Sequence, residues 1–365
     1  MPNKPKHSRK VQTAEFADFI ERATGEVQIR VEEALGDGFV RLRVAEAEAR
    51  QAKHDIRKVE DIVIELLRNA RDAQAKHIYL ASSKNDFGLR TLTVIDDGDG
   101  VPERMQTAIF EPRVTSKLDT MVMDEWGVHG RGMALYSIAA NANSAKVLSS
   151  CPQGGTALQV VVDTAKLKER SDQSTLPKLV RDGEGKWSCA ASPHNIARQV
   201  LEFALAAPAP LKVYLGSPAQ IAASLLAWGE REANRQELLF CKDLAQLPLT
   251  LRLAATNDAA DFAGQAGRLG LDISERTAYR VLQGEIAPLQ DILVQQKPKA
   301  KPNSVDIFKD ARGLKLSAED QERFGYALER AFAPLADRYY VSLKGQPKIS
   351  VKGERITVRF DIDKQ

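Results

Sequence analysis

The sequence predicts a multidomain α+β protein, on three observations. Residues 59–73 carry apolar side chains at helical spacing. Two runs rich in β-branched and apolar residues follow at 77–82 and 89–96, separated by the polar turn Lys84-Asn85-Asp86. A stretch rich in Gly, Asp, Pro and Arg, 97–132, reads mostly as loop and leads to a small apolar helix at 133–141 and strands at 145–149 and 156–163. A chain of 365 residues is long enough for two or three domains of about 150 residues each.

The flanking elements follow from the same rules. Residues 13–57 read as two helices split at Gly36-Asp37-Gly38, with Phe16, Phe19, Ile20, Val31 and Leu35 at helical spacing. The polar segment 166–186 reads as a boundary. Beyond it come a helix at 195–205, a strand at 211–215, a helix at 218–228 and two short helices within 258–283. Two prolines and three lysines make 295–303 a linker, before a helix at 317–339 and alternating strands over 348–363. The expected parts are a basic tail with N-terminal helices (1–54), an α/β unit (55–165), an accessory α/β domain (166–250), a helical segment with linker (251–300) and a C-terminal α+β domain (301–365).

Composition narrows the function classes. Lys plus Arg number 52 against 49 Asp plus Glu, a formal charge of +3, and 43% of residues are hydrophobic. That balance excludes a disordered polyelectrolyte and a histone-like protein, while leaving room for a local basic patch. The longest apolar candidate, 201–215, is broken by Glu202, Pro208, Pro210 and Lys212, so no membrane span is expected. The basic start MPNKPKHSRK leads into no apolar segment, unlike a secretory signal. Cys151, Cys189 and Cys241 form no CxxC pair, which points to a reducing, cytoplasmic setting.

The chemistry concentrates between 55 and 163. Glu65, Asn69 and Asp72 are spaced i, i+4 and i+7, one face of a helix whose other face, Leu66, Leu67 and Ala70, would pack on a sheet. Alone, such a row reads as a solvated face. The next strand, however, runs into Asp96-Asp97-Gly98-Asp99-Gly100, a carboxylate at a strand end followed by glycines that let backbone approach a ligand. Gly127-Val-His-Gly130-Arg131-Gly132 then opens towards a helix, where free N–H groups and the helix dipole favour phosphate.

In this order and spacing the segment resembles the GHKL ATPases, the superfamily of gyrase B, Hsp90, histidine kinases and MutL. Glu65-Leu-Leu-Arg-Asn69-Ala-Arg-Asp72-Ala resembles the N box, and Asp96-Asp-Gly98-Asp-Gly100 the first glycine box. Gly127-x-x-Gly130-x-Gly132 resembles the second, and Gly154-Gly155-Thr156 the closing glycine-threonine motif. The resemblance implies a two-layer α/β sandwich of the Bergerat type, extended by α/β and helical accessory domains, that binds ATP and Mg²⁺. It implies that Asn69 ligates Mg²⁺, that Asp96 accepts the adenine amino group with support from Thr156, and that Glu65 is the general base. It further implies a place for Asp72, Gly98 and Gly100 at the nucleotide, and for Gly127, Gly130 and Gly132 at the phosphates, with Lys117 and Arg131 as charge partners.

Two features pull towards different branches. Ile109-Phe-Glu-Pro112-Arg-Val-Thr115-Ser-Lys117 resembles the segment before the lid of histidine kinases. His54 in His-Asp-Ile-Arg superficially resembles their phosphoacceptor box, yet it stands too close to Glu65 for a dimerisation hairpin to intervene. The glutamate at 65 and the loop Gly127 to Ser137 look more like Hsp90, MutL and topoisomerase VI B, in which ATP closes a dimer clamp on a macromolecular partner. The alternative class is a kinase-like or non-hydrolysing signalling protein without its own phosphoacceptor module.

Residues 258–283 also have the pattern of a helix-turn-helix: Ala263 and Ala266 on a first helix, Gly270 in the turn, a cap at Asp272 or Ser274, and a second helix bearing Arg276 and Arg280 as DNA-contact candidates. An ordinary helical hairpin, with Leu269, Ile273 and Val281 as core, fits the same residues.

Overall fold

The computed structural model describes residues 31–42, 46–116, 122–124, 127–129, 132–181, 187–207, 210–233, 243–296, 318–352 and 355–364. The chain divides into two compact units, Met1–Pro298 and Lys299–Gln365.

In chain order the first unit contains β1 (Val31–Gly36), β2 (Phe39–Leu42), α1 (Glu46–Asp55), α2 (Val59–Asp72), β3 (His77–Lys84), β4 (Leu89–Asp96), β5 (Val114–Thr115), β6 (Val122–Asp124), β7 (Gly127–His129), α3 (Ala134–Asn141), β8 (Ser144–Cys151) and β9 (Gly155–Asp163). There follow β10 (Leu179–Arg181), β11 (Trp187–Cys189), α4 (Ile196–Ala206), β12 (Lys212–Gly216), α5 (Pro218–Glu232), a 3₁₀ stretch (Leu249–Ala255), α6 (Ala259–Arg268), α7 (Glu275–Leu282) and α8 (Ile292–Gln296). The architecture is α+β. A five-stranded sheet has the order β12-β3-β4-β9-β8, with β12 parallel to β3 and the other pairs antiparallel.

Helix α2 is built to carry a site. The Asp61 carboxylate accepts the N–H groups of Arg57 (2.8 Å) and Lys58 (3.0 Å), tying down the chain where the helix begins, and Glu60 and Asp61 in the first turn complement the dipole. At the other end Gln74 takes a left-handed φ of 62°, and the Ala75 N–H returns to the Ala70 carbonyl at 3.1 Å. Between these ends Ile62, Val63, Leu66, Leu67 and Ala70 are buried against Ile78, Leu80, Leu92, Val94 and Val160 of the sheet, with Val200 and Leu201 of α4 in the same core. Each such side chain contributes roughly 1.5–3 kcal/mol by leaving water.

The structure corrects the sequence reading in four places. Residues 31–42 form a β-hairpin and not helix: Gly36, Asp37 and Gly38 all have positive φ, a turn that joins two strands, and β2 goes on to pair with β5. Residues 13–30 lie outside the described residues. The stretch 97–132, expected as loop, holds two 3₁₀ turns (Glu103–Met105 and Ala108–Phe110), strand β5 and the ribbon β6–β7. Gly127 therefore sits in a strand paired with Val122–Asp124, and the helix opens only at Ala134. Finally, 166–250 and 251–300 are not set apart from 55–165. Strand β12 hydrogen-bonds along β3, while α5, the 3₁₀ stretch, α6 and α7 bury Ile221, Leu225, Leu249, Leu253, Phe262, Leu269 and Val281 with Tyr79, Ala81, Ile95 and Ala157 on the second face of the same sheet. A sheet with apolar residues on both faces needs cover on both, and these segments supply it.

The second unit has helix α9 (Ala318–Tyr339), β13 (Val341–Leu343) paired with β16 (Ile362–Lys364), and the hairpin β14 (Lys348–Lys352)–β15 (Arg355–Arg359). The rings of Phe332 and Phe360 stack at 5.2 Å.

Candidate functional site

A cavity of about 600 Å³ opens beside α2. Asp61, Glu65, Arg68, Asn69 and Asp72 line one wall, Asp99 and Gly100 the loop after β4, and Gly132 to Leu135 with Ser137 the start of α3. Thr115, Ser116 and Phe39 come from the small sheet side, Asp55 to Arg57 from the end of α1, and Gln199 from α4.

The wall groups are organised by α2 itself. Glu65 Oε1 accepts a hydrogen bond from Arg68 Nη1 at 2.7 Å, one helical turn on, and the Arg68 side chain is only 3% exposed. Asp72 accepts from Arg71 Nε at 3.2 Å. The buried side-chain nitrogen of Asn69 has no partner. An unsatisfied amide on a cavity wall costs stability unless a ligand completes it. The orphan is a donor and so suits a phosphate oxygen, while Mg²⁺, which takes few protein ligands and keeps waters and phosphate oxygens, would be held by the side-chain oxygen of the same amide. No cluster of three His, Cys, Asp or Glu suited to a metal occurs among the described residues.

Asp96 ends β4 with its side chain buried. Burial pushes its carboxyl up to about 7; the hydrogen bonds from the Gly98 and Thr156 N–H groups work against the rise, and the charges of Asp97 and Asp99 add to it. The Gly98 N–H donates to Asp96 Oδ1 at 2.9 Å. Thr156 is buried at the start of β9, its hydroxyl 3.3 Å from that of Ser150. Ser150 donates to the Gly155 carbonyl and accepts the Val101 N–H at 2.7 Å, which ties the loop after β4 to the β8–β9 turn. Burial works to raise the Asp97 carboxyl, but the His77 side chain and the N–H groups of His77 and Lys76 hold it below the usual range.

The structure thus brings Glu65, Asn69, Asp72, Gly100 and Gly132 to one cavity. It places Asp96, Gly98 and Thr156 together outside the lining, at the ends of β4 and β9. Gly127 lies in the β6–β7 ribbon, while Lys117, Gly130 and Arg131 lie outside the described residues. The glycines of the first box also make close approaches within the protein. A Cβ on Gly98 would meet the Ala73 carbonyl at 2.4 Å, and one on Gly100 (φ 78°) the Cys151 carbonyl at 2.2 Å. Both positions admit protein backbone, which fixes the loop. Arg68 and Gln199 are among the lining residues the sequence reading misses. Arg68 carries a signal, an opposite charge at i+3 from Glu65; Gln199, from a distant helix, carries none.

The family model described as histidine kinase-, DNA gyrase B-, and HSP90-like ATPase matches residues 54–166. This segment is a GHKL ATPase domain. The GHKL match coincides with the wall, loop and sheet that build the cavity, and it carries nucleotide binding as the family's shared property. Among curated proteins, the DNA mismatch repair protein MutL of Lactiplantibacillus plantarum is 30% identical over 110 residues, covering 30% of this chain and 16% of that protein. MutL of Parabacteroides distasonis is 40% identical over 91 residues, covering 24% and 14%. The chain therefore matches less than a fifth of the length of either relative. Two solved structures also match at low TM-scores: a mycobacterial sensor histidine kinase MprB (14% identity, TM-score 0.20, covering 42% of this chain and 93% of that one) and full-length ShkA in complex with AMPPNP (18%, 0.22, covering 58% and 46%).

The second helix pair is real as a pair. Ser274 accepts the Thr277 N–H and caps α7, and Gly270 (φ 79°) makes the turn. Its inner side is spent on the sheet: the Gly270 carbonyl accepts from Thr93 Oγ1 at 3.0 Å and Gln159 Nε2 at 3.3 Å. Arg276 and Arg280 are exposed, and Arg280 is paired with Glu285 at 2.9 Å. Among the described residues no helix is long and apolar enough to cross a membrane.

Proposed function

We propose that this protein is a Mg²⁺-dependent ATPase whose nucleotide state controls a lid or dimer clamp acting on a macromolecular partner. The observation that carries the reading is Glu65 and Asn69 one turn apart on the same cavity wall. Glu65, ion-paired with Arg68, is an acceptor positioned for the proton of an attacking water, the role hydrolysis requires beside a γ-phosphate. Asn69 would hold Mg²⁺, which supplies neutralisation of phosphate charge when bound. The N–H groups at the start of α3 and Gly132 receive phosphate, with Lys117, Gly130 and Arg131 as further contacts. Asp96, backed by Thr156, accepts the adenine amino group; a buried carboxylate short of solvation gains from such a donor. Arg276 and Arg280 on α7 are candidate contacts for DNA as the partner.

Radiolabelled ATP tests the reading. Phosphate released to solution with Glu65-dependent kinetics supports the ATPase; label retained on the protein identifies the kinase-like alternative and overturns hydrolysis as the output. Size-exclusion chromatography with and without a non-hydrolysable analogue tests the clamp, which requires a dimer with the analogue alone.

A further inference from the structure

The hairpin β14–β15 in the C-terminal unit has an unusual register. Lys348 stands opposite Arg359, Ser350 opposite Thr357, and Lys352 opposite Arg355, while the intervening pairs are Ile349 with Val358 and Val351 with Ile356. Strand residues alternate between faces, so one side of the ribbon gathers four cationic positions around two hydroxyls and the other gathers four β-branched aliphatics. Lys348, Ser350, Thr357 and Arg359 are exposed; Ile349 and Val358 are half-buried. Like charges directly opposite across a strand pair destabilise it, and here they occur at both ends of the hairpin. Asp361 answers one end, 3.0 Å from Lys348 and 3.1 Å from Arg359, yet both cations remain 74% exposed. Over 348–359 the sequence has four cations and one carboxylate, Glu354.

We propose that this ribbon is a docking surface for duplex DNA, entering the major groove with its hydroxyl centre and holding phosphates at both ends. Four residues of strand separate the two cation pairs by about 13 Å, close to a major groove of about 12 Å, which admits a two-stranded ribbon. The central Ser350 and Thr357 can donate to or accept from base edges. The chemistry disfavours other polyanions. The cationic side lacks the Trp, Phe or Leu that an interfacial membrane element inserts, and it lacks the aromatic platform on which single strands stack. The major groove of duplex RNA is too narrow and deep for a ribbon. The inference is independent of the nucleotide site.

Fluorescence anisotropy of a short labelled duplex with the full chain tests it, titrated over a series of salt concentrations. Lys348→Ser with Arg359→Thr should weaken binding by roughly tenfold at low salt and flatten the log K against log salt slope by about 1.8, since two phosphates are no longer neutralised. Ser350→Glu keeps every cation and sets a carboxylate among them, so it should weaken duplex binding while the melting temperature holds or rises. A merely structural ribbon cannot give that opposite pair of responses. No duplex binding by the wild type at low salt, or variants with unchanged affinity and slope, would overturn the proposal. So would tighter binding to duplex RNA, single strands or phosphatidylserine vesicles than to duplex DNA.

Discussion

The two faces of the central sheet are held by different means. The α2 face is a slab of branched aliphatics, with Ile78, Leu80, Leu92, Val94, Val160 and Val162 under α2 and α4. The opposite face mixes small, aromatic and polar residues: Tyr79 stacks on Tyr214 at 4.7 Å, His77 lies 4.0 Å from Trp228, and Thr93 and Gln159 hydrogen-bond the α6–α7 turn. The first face needs only volume, so aliphatic side chains of α2 and α4 cover it, and α2 presents the cavity wall on its outer side. The second is covered piecemeal by segments far along the chain. One sheet thus carries a site on one side and a structural buttress on the other.

The largest expected effect lies on the wall. Glu65→Ala should lower phosphate release 10²–10⁴-fold, about 3–5 kcal/mol of barrier, while Mg·ATP binding persists. Steady-state turnover beside a binding titration checks it, and wild-type turnover would reduce Glu65 to the partner of Arg68. The buttress gives the next effect. Phe262→Ala, at a fully buried position, should cost about 3–5 kcal/mol and lower the melting temperature of the whole first unit in one transition. A separate, early transition confined to 251–300 would restore an independent helical domain. The smallest change sharpens the contrast: Thr93→Val, which removes a buried donor to the Gly270 carbonyl but leaves it the donor from Gln159, should cost about 0.5–1.5 kcal/mol in denaturant unfolding and leave ATP turnover alone. A turnover loss would show that the two faces are coupled.

The difference between the faces also explains what the sequence discloses. Helix α2 and strands β3, β4, β8 and β9 were legible to within a few residues because periodicity and turn chemistry are local. The N-box and first glycine-box patterns were legible for the same reason, one falling within a helix and the other at a strand end, whereas Gly127 to Gly132 runs from the β6–β7 ribbon to the residues before α3. The hairpin at 31–42 was not, since Val31 and Leu35 also fit a helical repeat and pairing of β2 with β5 is decided by residues far away. The second face was hidden by its own chemistry. Yet β3 is buried at five successive positions, His77 to Ala81, and such a run without alternation is the mark of a strand covered on both sides. Gly155 gave a further clue that could be named only in three dimensions: with φ 97°, a Cβ there would lie 1.8 Å from the Asp96 carbonyl.

Asp96 offers the most direct test of the central claim, that this sheet end and wall bind ATP. With its carboxyl raised from 3.8 to about 7, the folded state holds a proton that the unfolded chain has released, so Asp96 favours folding below about pH 4 and that contribution is lost as pH rises to about 7. Above that pH the buried charge is a cost that adenine binding is proposed to offset. Asp96→Asn, nearly isosteric, should therefore raise the melting temperature of the ligand-free protein at pH 8 and flatten its decline between pH 4 and 7, while calorimetric titration with Mg·ATP shows no binding. A variant that binds Mg·ATP with wild-type affinity would contradict the account.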